Sequence, residues 1–304
     1  MDDSLGVAGG FVASADAGTD RRHGVFYAAD ERMAGPALIW ALRSEVDHLH
    51  LVAEAEHAGA LARRVSNVEA FRIDVVAVDG VELIAAEPVP IAAPPVLSAE
   101  MWELAPILSE AGARPVDDHG RIVAEVAGLE VARIDRPVNE PASIEVGVGE
   151  ADRELHTLVH SNLDSGSAVR RAVAMVTAER QRDSIHPLAR MARERWIRSM
   201  LIDDPSSIGL ESLTVIPPLV ARSTVLGNVP SAAMGARPDG TPVVVVCSSG
   251  IDLDVVPEAV DYRQRELPEA ELWIVVPKRD RHGITETLVA ITRDCELLTV
   301  DPPW

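Results

Sequence analysis

A two-residue alternation is the main pattern in the first third of the chain. Within His48–Ala53, residues 48, 50 and 52 alternate with the apolar residues 49, 51 and 53, the two-residue period of a strand with one buried face. Asp79-Gly80 is a hairpin signal that follows a second such run. The pattern therefore predicts a strand–helix–strand module. Its predicted elements are a strand over Val25–Ala28, helices over Arg32–Val46 and Glu56–Val68, and strands over His48–Ala53, Phe71–Val78 and Val81–Ala85.

The C-terminal third carries a different pattern, with an uninterrupted apolar run at its centre. Val243–Val246, continued by Cys247, predicts a strand that is covered on both faces. Asp254 follows as a candidate cap for a helix over residues 255–265, and Pro257 suits the first turn of that helix. The flanking predictions are a helix over Pro187–Asp204, strands over Leu213–Val220, Ala232–Ala236 and Leu272–Val276, and a closing helix over Gly283–Arg293.

These patterns divide the chain into four regions. Residues 1–22 predict a mobile tail, 23–95 an N-terminal α/β module, 96–186 a middle hairpin with connecting helices, and 187–304 a C-terminal domain. The proline-rich segment Pro88–Pro95 predicts an extended linker. The strand–helix–strand pattern of residues 48–78 repeats at 243–277, which leaves open an internal duplication or two unrelated units of a common kind.

Charge and composition narrow the classes of partner. The net charge is −20, from 28 basic and 48 acidic residues, and only 3% of residues are aromatic. Both features argue against nucleic acid, whose binding needs neutralised phosphates and, for single strands, stacking rings. The start of the chain lacks the pattern of a signal peptide, and no apolar run is long enough for a membrane helix. With Cys247 and Cys295 as expected core thiols, the sequence predicts a cytoplasmic protein.

The order helix, three strands, helix, strand over residues 187 to about 300 resembles the restriction-endonuclease-like superfamily, the PD-(D/E)XK nucleases. The resemblance implies two carboxylates that hold Mg²⁺ and a lysine that helps to place the attacking water. The chain departs from that motif, since Val246-Cys247-Ser248 stands where Glu-x-Lys is expected. The upstream metal-binding Asp of the motif is expected near position 231 or 232, where this chain has Ser231 and Ala232. The single lysine, Lys278, is on another strand. The resemblance thus implies a degenerate nuclease-like domain.

Three carboxylates could replace the missing ones if the site has moved. In some members of the superfamily the first helix supplies an extra carboxylate, and Glu194 is the matching residue. Asp239 and Glu258, near Asp252 and Asp254 around the central strand, complete the candidate Mg²⁺ site. The group also has a structural interpretation. Glu194 is spaced to pair with Arg198 on a solvated helix face, Asp239 is a turn residue and Asp254 a helix cap.

Two further groups have the right chemistry at weaker spacing. Asp152, His156 and His160 recur every four residues, so two of them could share a zinc ion, or all three could be surface residues. Glu54 and Glu56 end a predicted strand, where carboxylates bind metals or simply begin a solvated helix. A small-molecule enzyme built on that second pair has no motif to support it.

The sequence therefore predicts an α/β protein with an N-terminal βαβ-containing module and a C-terminal nuclease-like domain. The leading functional hypothesis is a non-catalytic cytoplasmic protein that binds a protein or a small ligand and needs no cofactor. The rival hypothesis is an Mg²⁺-dependent nuclease with relocated residues Glu194, Asp239 and Glu258.

Overall fold

The computed structural model describes residues 10–14, 22–137, 140–149, 152–153, 164–219 and 229–304, and these residues confirm the α/β class. They form three sheets and seven α-helices. The helices are α1 (Ala34–Arg43), α2 (Ala55–Val65), α3 (Ala99–Glu110), α4 (Ser165–Glu179), α5 (Arg193–Asp203), α6 (Val255–Glu266) and α7 (Gly283–Ala290). The strands are β1 (Gly10–Ser14), β2 (Arg22–Ala28), β3 (His48–Glu54), β4 (Arg72–Asp79), β5 (Glu82–Ala85), β6 (Arg114–Asp117), β7 (Ile122–Val126), β8 (Leu129–Asp135), β9 (Ser143–Val146), β10 (Ser212–Val215), β11 (Ser231–Ala236), β12 (Pro242–Cys247), β13 (Glu271–Pro277) and β14 (Cys295–Val300).

The chain divides into two compact units that do not follow sequence order. The first consists of Met1–Ala92, Ile251–Ile274 and Arg279–Leu298, and the second of Ala93–Gly250, Val275–Lys278 and Thr299–Trp304. Helices α6 and α7, near the end of the sequence, therefore belong to the same unit as the N-terminal segment.

In the first unit, a five-stranded sheet has the order β1-β2-β3-β4-β5. Strands β2, β3 and β4 are parallel, with β1 and β5 antiparallel at the two edges. Helix α1 packs on β2, and α2 packs on β3 and β4. Leu49, Leu51 and Ala53 are fully buried in this layer, so the alternation in His48–Ala53 is confirmed as one buried face and one partly exposed face.

Buried ion pairs hold α6 against α2 within the same unit. Asp261 accepts from Nε of Arg63 at 2.7 Å and from Nε of Arg64 at 2.8 Å. Asp254 occupies the N-cap position of α6, as predicted, but its side chain makes no capping hydrogen bond to that helix. The predicted position is therefore confirmed and the predicted capping bond is wrong. Oδ1 of Asp254 instead accepts from the backbone N of Gly35 at 2.8 Å, in the first turn of α1. A Cβ on residue 35 would lie 1.8 Å from the carbonyl oxygen of Leu253, so only glycine fits at this position.

In the second unit, the antiparallel sheet β6-β7-β8-β9 packs on α3 and α4. The predicted hairpin over Arg121–Val126 and Leu129–Ile134 is confirmed as β7 and β8. Ala127 and Gly128, both with positive φ, form its turn. This turn lies close to α5, because a Cβ on Gly128 would lie 2.3 Å from the backbone carbon of Arg195.

A third sheet has the order β10-β11-β12-β13-β14, with β12 at its centre. All four residues of Val243–Val246 are fully buried, which confirms the predicted central strand, and β13 lies beside it as expected. Two boundaries in this region differ from the prediction by about five residues or more. The helix predicted from Pro187 begins as α5 at Arg193, after Ala192 takes a left-handed conformation. The strand predicted over Leu213–Val220 ends at Val215, because Pro217 and Pro218 cannot donate ladder hydrogen bonds.

Candidate metal centre

The partly exposed face of the first sheet brings together His23, His48 and His50. His23 on β2 pairs in register with His48 on β3, and His50 follows two residues later on the same face. Each of the three offers a ring nitrogen, and these atoms all lie within 4.8 Å of one another. Strand alternation and parallel register together therefore produce a compact set of imidazole ligands.

The spacing of the rings is close to what a tetrahedral ion requires. His23 Nδ1 lies 3.1 Å from His50 Nε2, and the His48 and His50 ring centroids are 4.1 Å apart. Two nitrogens at about 2.0–2.1 Å from a tetrahedral Zn²⁺ stand roughly 3.3 Å from each other. One pair, which is joined by a hydrogen bond, thus already has nearly this separation, and the third ring offers a nitrogen within 4.8 Å of both.

A carboxylate on the next strand orients one of these rings. Asp74 on β4 pairs in register with His50, and its Oδ2 lies 2.7 Å from Nε2 of His48. Since an ionised carboxylate only accepts, Nε2 of His48 carries the proton in this hydrogen bond, and in the neutral ring Nδ1 is then the accepting nitrogen. Arg72 donates to the same carboxylate through Nε at 3.2 Å and Nη2 at 3.4 Å. A carboxylate behind a ligand histidine is the usual supporting contact in metal sites.

The ionisation states suit a metal site. Burial would raise the pKa of Asp74, but hydrogen bonds from His48 and Arg72 outweigh it and hold that pKa below its usual value. Burial and the neighbouring His48 lower the pKa of His50, against the pull of Asp74. His50 therefore stays neutral at pH 7, the form that binds metals.

Solvent reaches this face, whereas the opposite side of β2 is closely packed. The side chains of His48, His50 and Asp74 are 13%, 31% and 38% exposed. On the other side of β2, a Cβ on Gly24 would lie 2.8 Å from Val46 and 2.9 Å from the Trp40 ring. The histidine side chains are therefore accessible on one face, while β2 is held by close packing on the other.

The residues predicted for a relocated nuclease site stand in distinct surroundings. Glu194 on α5 is only 2% exposed and Arg198 only 3%, so the solvated helix face predicted for these two residues is wrong. Arg198 donates to buried Glu125 on β7, at 2.6 and 2.7 Å, and Arg195 reaches the same carboxylate at 3.2 Å. The charge of Glu194 acts on the guanidinium of Arg180.

Asp239 and Glu258 occupy the environments of a turn residue and a helix residue. Asp239 lies in the exposed turn before β12, where Oδ1 accepts from the backbone N of Thr241 at 2.9 Å, as a turn residue does. Burial raises the pKa of Glu258 on α6 to about 7, against the opposing charge of Arg64. Asp252 and Asp254 lie near enough to Glu258 for their charges to interact, so these three carboxylates of the first unit form a group.

The two weaker predicted groups show no shared ion site among the described residues. Glu54 accepts from the Tyr27 hydroxyl at 3.1 Å, and Glu56 lies 3.4 Å from Nε2 of His57, so each carboxylate has its own local partner. His156 and His160 lie outside the described residues. Asp152 accepts from the backbone N of Val148 at 2.8 Å.

The histidine cluster was missed from sequence, although part of its signal was visible. The spacing His48-x-His50 on a predicted strand places both rings on one face. What the sequence lacked was the register of β2 against β3, which adds His23, and that of β4, which adds Asp74.

The two cysteines provide no alternative chemical site. Cys247 and Cys295 are not in a disulfide, and burial raises the pKa of each thiol to about 12. Both therefore remain protonated and poorly reactive at neutral pH.

No α-helix among the described residues has the length and apolar character to cross a membrane.

Comparison with protein-family models, with curated proteins and with solved structures finds no match to this chain.

Proposed function

We propose that this protein binds a divalent transition-metal ion, with Zn²⁺ the best chemical fit, through His23, His48 and His50. One observation carries the proposal, namely three imidazole nitrogens within 4.8 Å of one another on adjacent strands of the first sheet. Asp74 supports it by fixing the tautomer and orientation of His48.

The ligand type selects the class of ion. Imidazole nitrogen suits zinc, copper, nickel and iron, whereas Mg²⁺ and Ca²⁺ take oxygen ligands. Asp74, the carboxylate that contacts these rings among the described residues, already accepts from His48 and Arg72. The proposed ion is therefore distinct from the Mg²⁺ of the nuclease hypothesis.

We retain a second proposal for the C-terminal region, a nuclease-like fold that serves binding of a protein or small ligand in the cytoplasm rather than catalysis. Val246 and Ser248, which stand at the motif positions, bind no Mg²⁺ strongly. Arg195 and Arg198 are engaged by Glu125, which gives this part of α5 a structural role. The rival proposal, an Mg²⁺-dependent nuclease, rests on Glu194, Asp239 and Glu258.

Equilibrium dialysis of the full chain against Zn²⁺ tests the metal proposal. We expect one tightly held ion per chain and its loss in His50→Ala, which removes one of three ligands. His57→Ala is the matched control, because His57 on α2 contacts Glu56 and lies outside the cluster. Circular dichroism confirms that both variants are folded. Equal zinc retention by both variants, or none by the wild type, would identify the cluster as hydrogen-bonded histidines only.

A further inference from the structure

We infer that an ion held by His23, His48 and His50 keeps one coordination position open toward solvent and takes a small oxyanion there, a carboxylate or phosphate group, with Arg72 as its second contact. The inference rests on the proposed metal site and adds the class of ligand that the site would take.

The ligand count leaves the position open. The three histidines fill three places of a tetrahedral ion, and structural zinc sites are normally closed by a fourth protein ligand. Asp74 contacts the cluster, but its Oδ2 lies 2.7 Å from Nε2 of His48 and its Oδ1 3.2 Å from Nε of Arg72, the position of a carboxylate that orients a ligand histidine. Since the cluster is partly exposed, the fourth ligand comes from solution.

Charge favours an anion at that place. Three neutral imidazoles leave the positive charge of the ion uncompensated. The negative charge of Asp74 is shared with the Arg72 guanidinium through two hydrogen bonds. An ion in this setting binds hydroxide or an exogenous anion more favourably than a neutral ligand.

Arg72 is placed to contact the same anion. It pairs in register with His48 on the neighbouring strand, so the two side chains emerge on the same face. Its side chain is 70% exposed, although Nε and Nη2 reach Asp74. The planar guanidinium can therefore donate to Asp74 and to a solvent-side oxyanion at once, the fork geometry that suits carboxylate and phosphate.

The test uses full-length protein loaded with Co²⁺, whose visible spectrum reports the number and type of its ligands. Acetate and inorganic phosphate are titrated separately at constant ionic strength. We expect a saturable spectral change with at least one of them. In Arg72→Ala, Co²⁺ still binds but the anion affinity falls about tenfold, as for loss of a hydrogen bond between charged groups. Arg22→Ala is the control, because Arg22 is an exposed arginine that pairs with Glu45 and adjoins His23.

The outcomes separate the two proposals. Absence of any Co²⁺ spectrum contradicts the metal site itself. A tetrahedral Co²⁺ spectrum that neither anion changes leaves the metal site standing and overturns the open position. Equal weakening in Arg72→Ala and Arg22→Ala would overturn the role of Arg72, since a general loss of positive charge would then suffice.

Discussion

Strands β3 and β12 occupy the same place, third of five, in two sheets, yet they differ in what they can do. Every residue of Val243–Val246 is fully buried, so β12 contributes apolar contacts on both faces. In β3, Leu49 and Leu51 are fully buried while His48 and His50 face outward and remain partly exposed. A half-buried strand anchors itself on one side and presents chemical groups on the other. A strand covered on both sides stabilises the fold and offers no reactive side chain.

The comparison predicts a large difference between matched substitutions in the two strands. Val245→Asp places an unpaired charge in a fully buried site and should cost more than about 4 kcal/mol, enough to unfold the chain. Val52→Asp, on the partly exposed face of β3, should cost less than about 2 kcal/mol. Urea denaturation followed by circular dichroism measures both. Similar losses of stability in the two variants would remove the distinction between the strands.

A smaller effect is expected from the buried acid that joins α6 to α1. Burial raises the pKa of Asp254 to about 7, although its bond from Gly35 acts in the opposite direction. An acid whose pKa is raised in the folded state stabilises that state fully below its unfolded pKa, near pH 4. This stabilisation is lost as the pH rises through the folded-state pKa of about 7. Asp254→Asn keeps the oxygen acceptor for Gly35 and removes the titration. The variant should therefore be more stable than the wild type at pH 8, on the order of 2 to 4 kcal/mol, and similar at pH 4.

Denaturant titrations of wild type and Asp254→Asn at several pH values between 4 and 8 test this linkage. A residual decline toward high pH should persist in the variant, because burial also raises the pKa of Glu258 to about 7. Parallel stability curves for the two proteins would show that Asp254 does not titrate in this range.

The smallest expected effect concerns nucleic acid. With a net charge of −20, the chain should neither shift labelled duplex or single-stranded DNA at about 150 mM salt nor cleave it with Mg²⁺ or Mn²⁺. Gel shift and cleavage assays on the wild type measure both. Cleavage that Glu194→Ala or Glu258→Ala abolishes would support the nuclease hypothesis over the non-catalytic one, with Asp239→Ala as a third test.

Local patterns predicted much of the fold, because they report burial directly. The run Val243–Val246 and the alternation in His48–Ala53 each marked the correct strand, and Asp79-Gly80 marked the correct hairpin. The predicted extents of α5 and β10 were wrong. Ala192 takes a left-handed conformation before α5 begins, and Pro217, which cannot donate a ladder hydrogen bond, follows the end of β10. The unusual division of the chain could not be read locally, since it depends on pairs such as Arg63 with Asp261, far apart in sequence.

The candidate site was harder to predict than the fold, because its residues converge through register. The strand-end motif of the resembled superfamily falls at Val246 and Ser248 and near the surrounding carboxylates, far from the histidines in sequence. His23 and Asp74 lie 25 residues before His48 and 26 after it, and only strand pairing brings them together. The solvated face predicted for Glu194 was wrong, because its neighbours Arg195 and Arg198 form a buried ion network whose partners, Asp118 and Glu125, are remote in sequence.

Anomalous diffraction at the zinc absorption edge, from crystals of the full chain grown with Zn²⁺, tests the central claim most directly. We expect one strong peak on the outer face of β2 and β3, about 2.0–2.1 Å from a nitrogen of each of His23, His48 and His50, with Asp74 still bonded to Nε2 of His48. No peak at these three histidines, or a principal peak at the carboxylates Asp252, Asp254 and Glu258, would contradict the assignment.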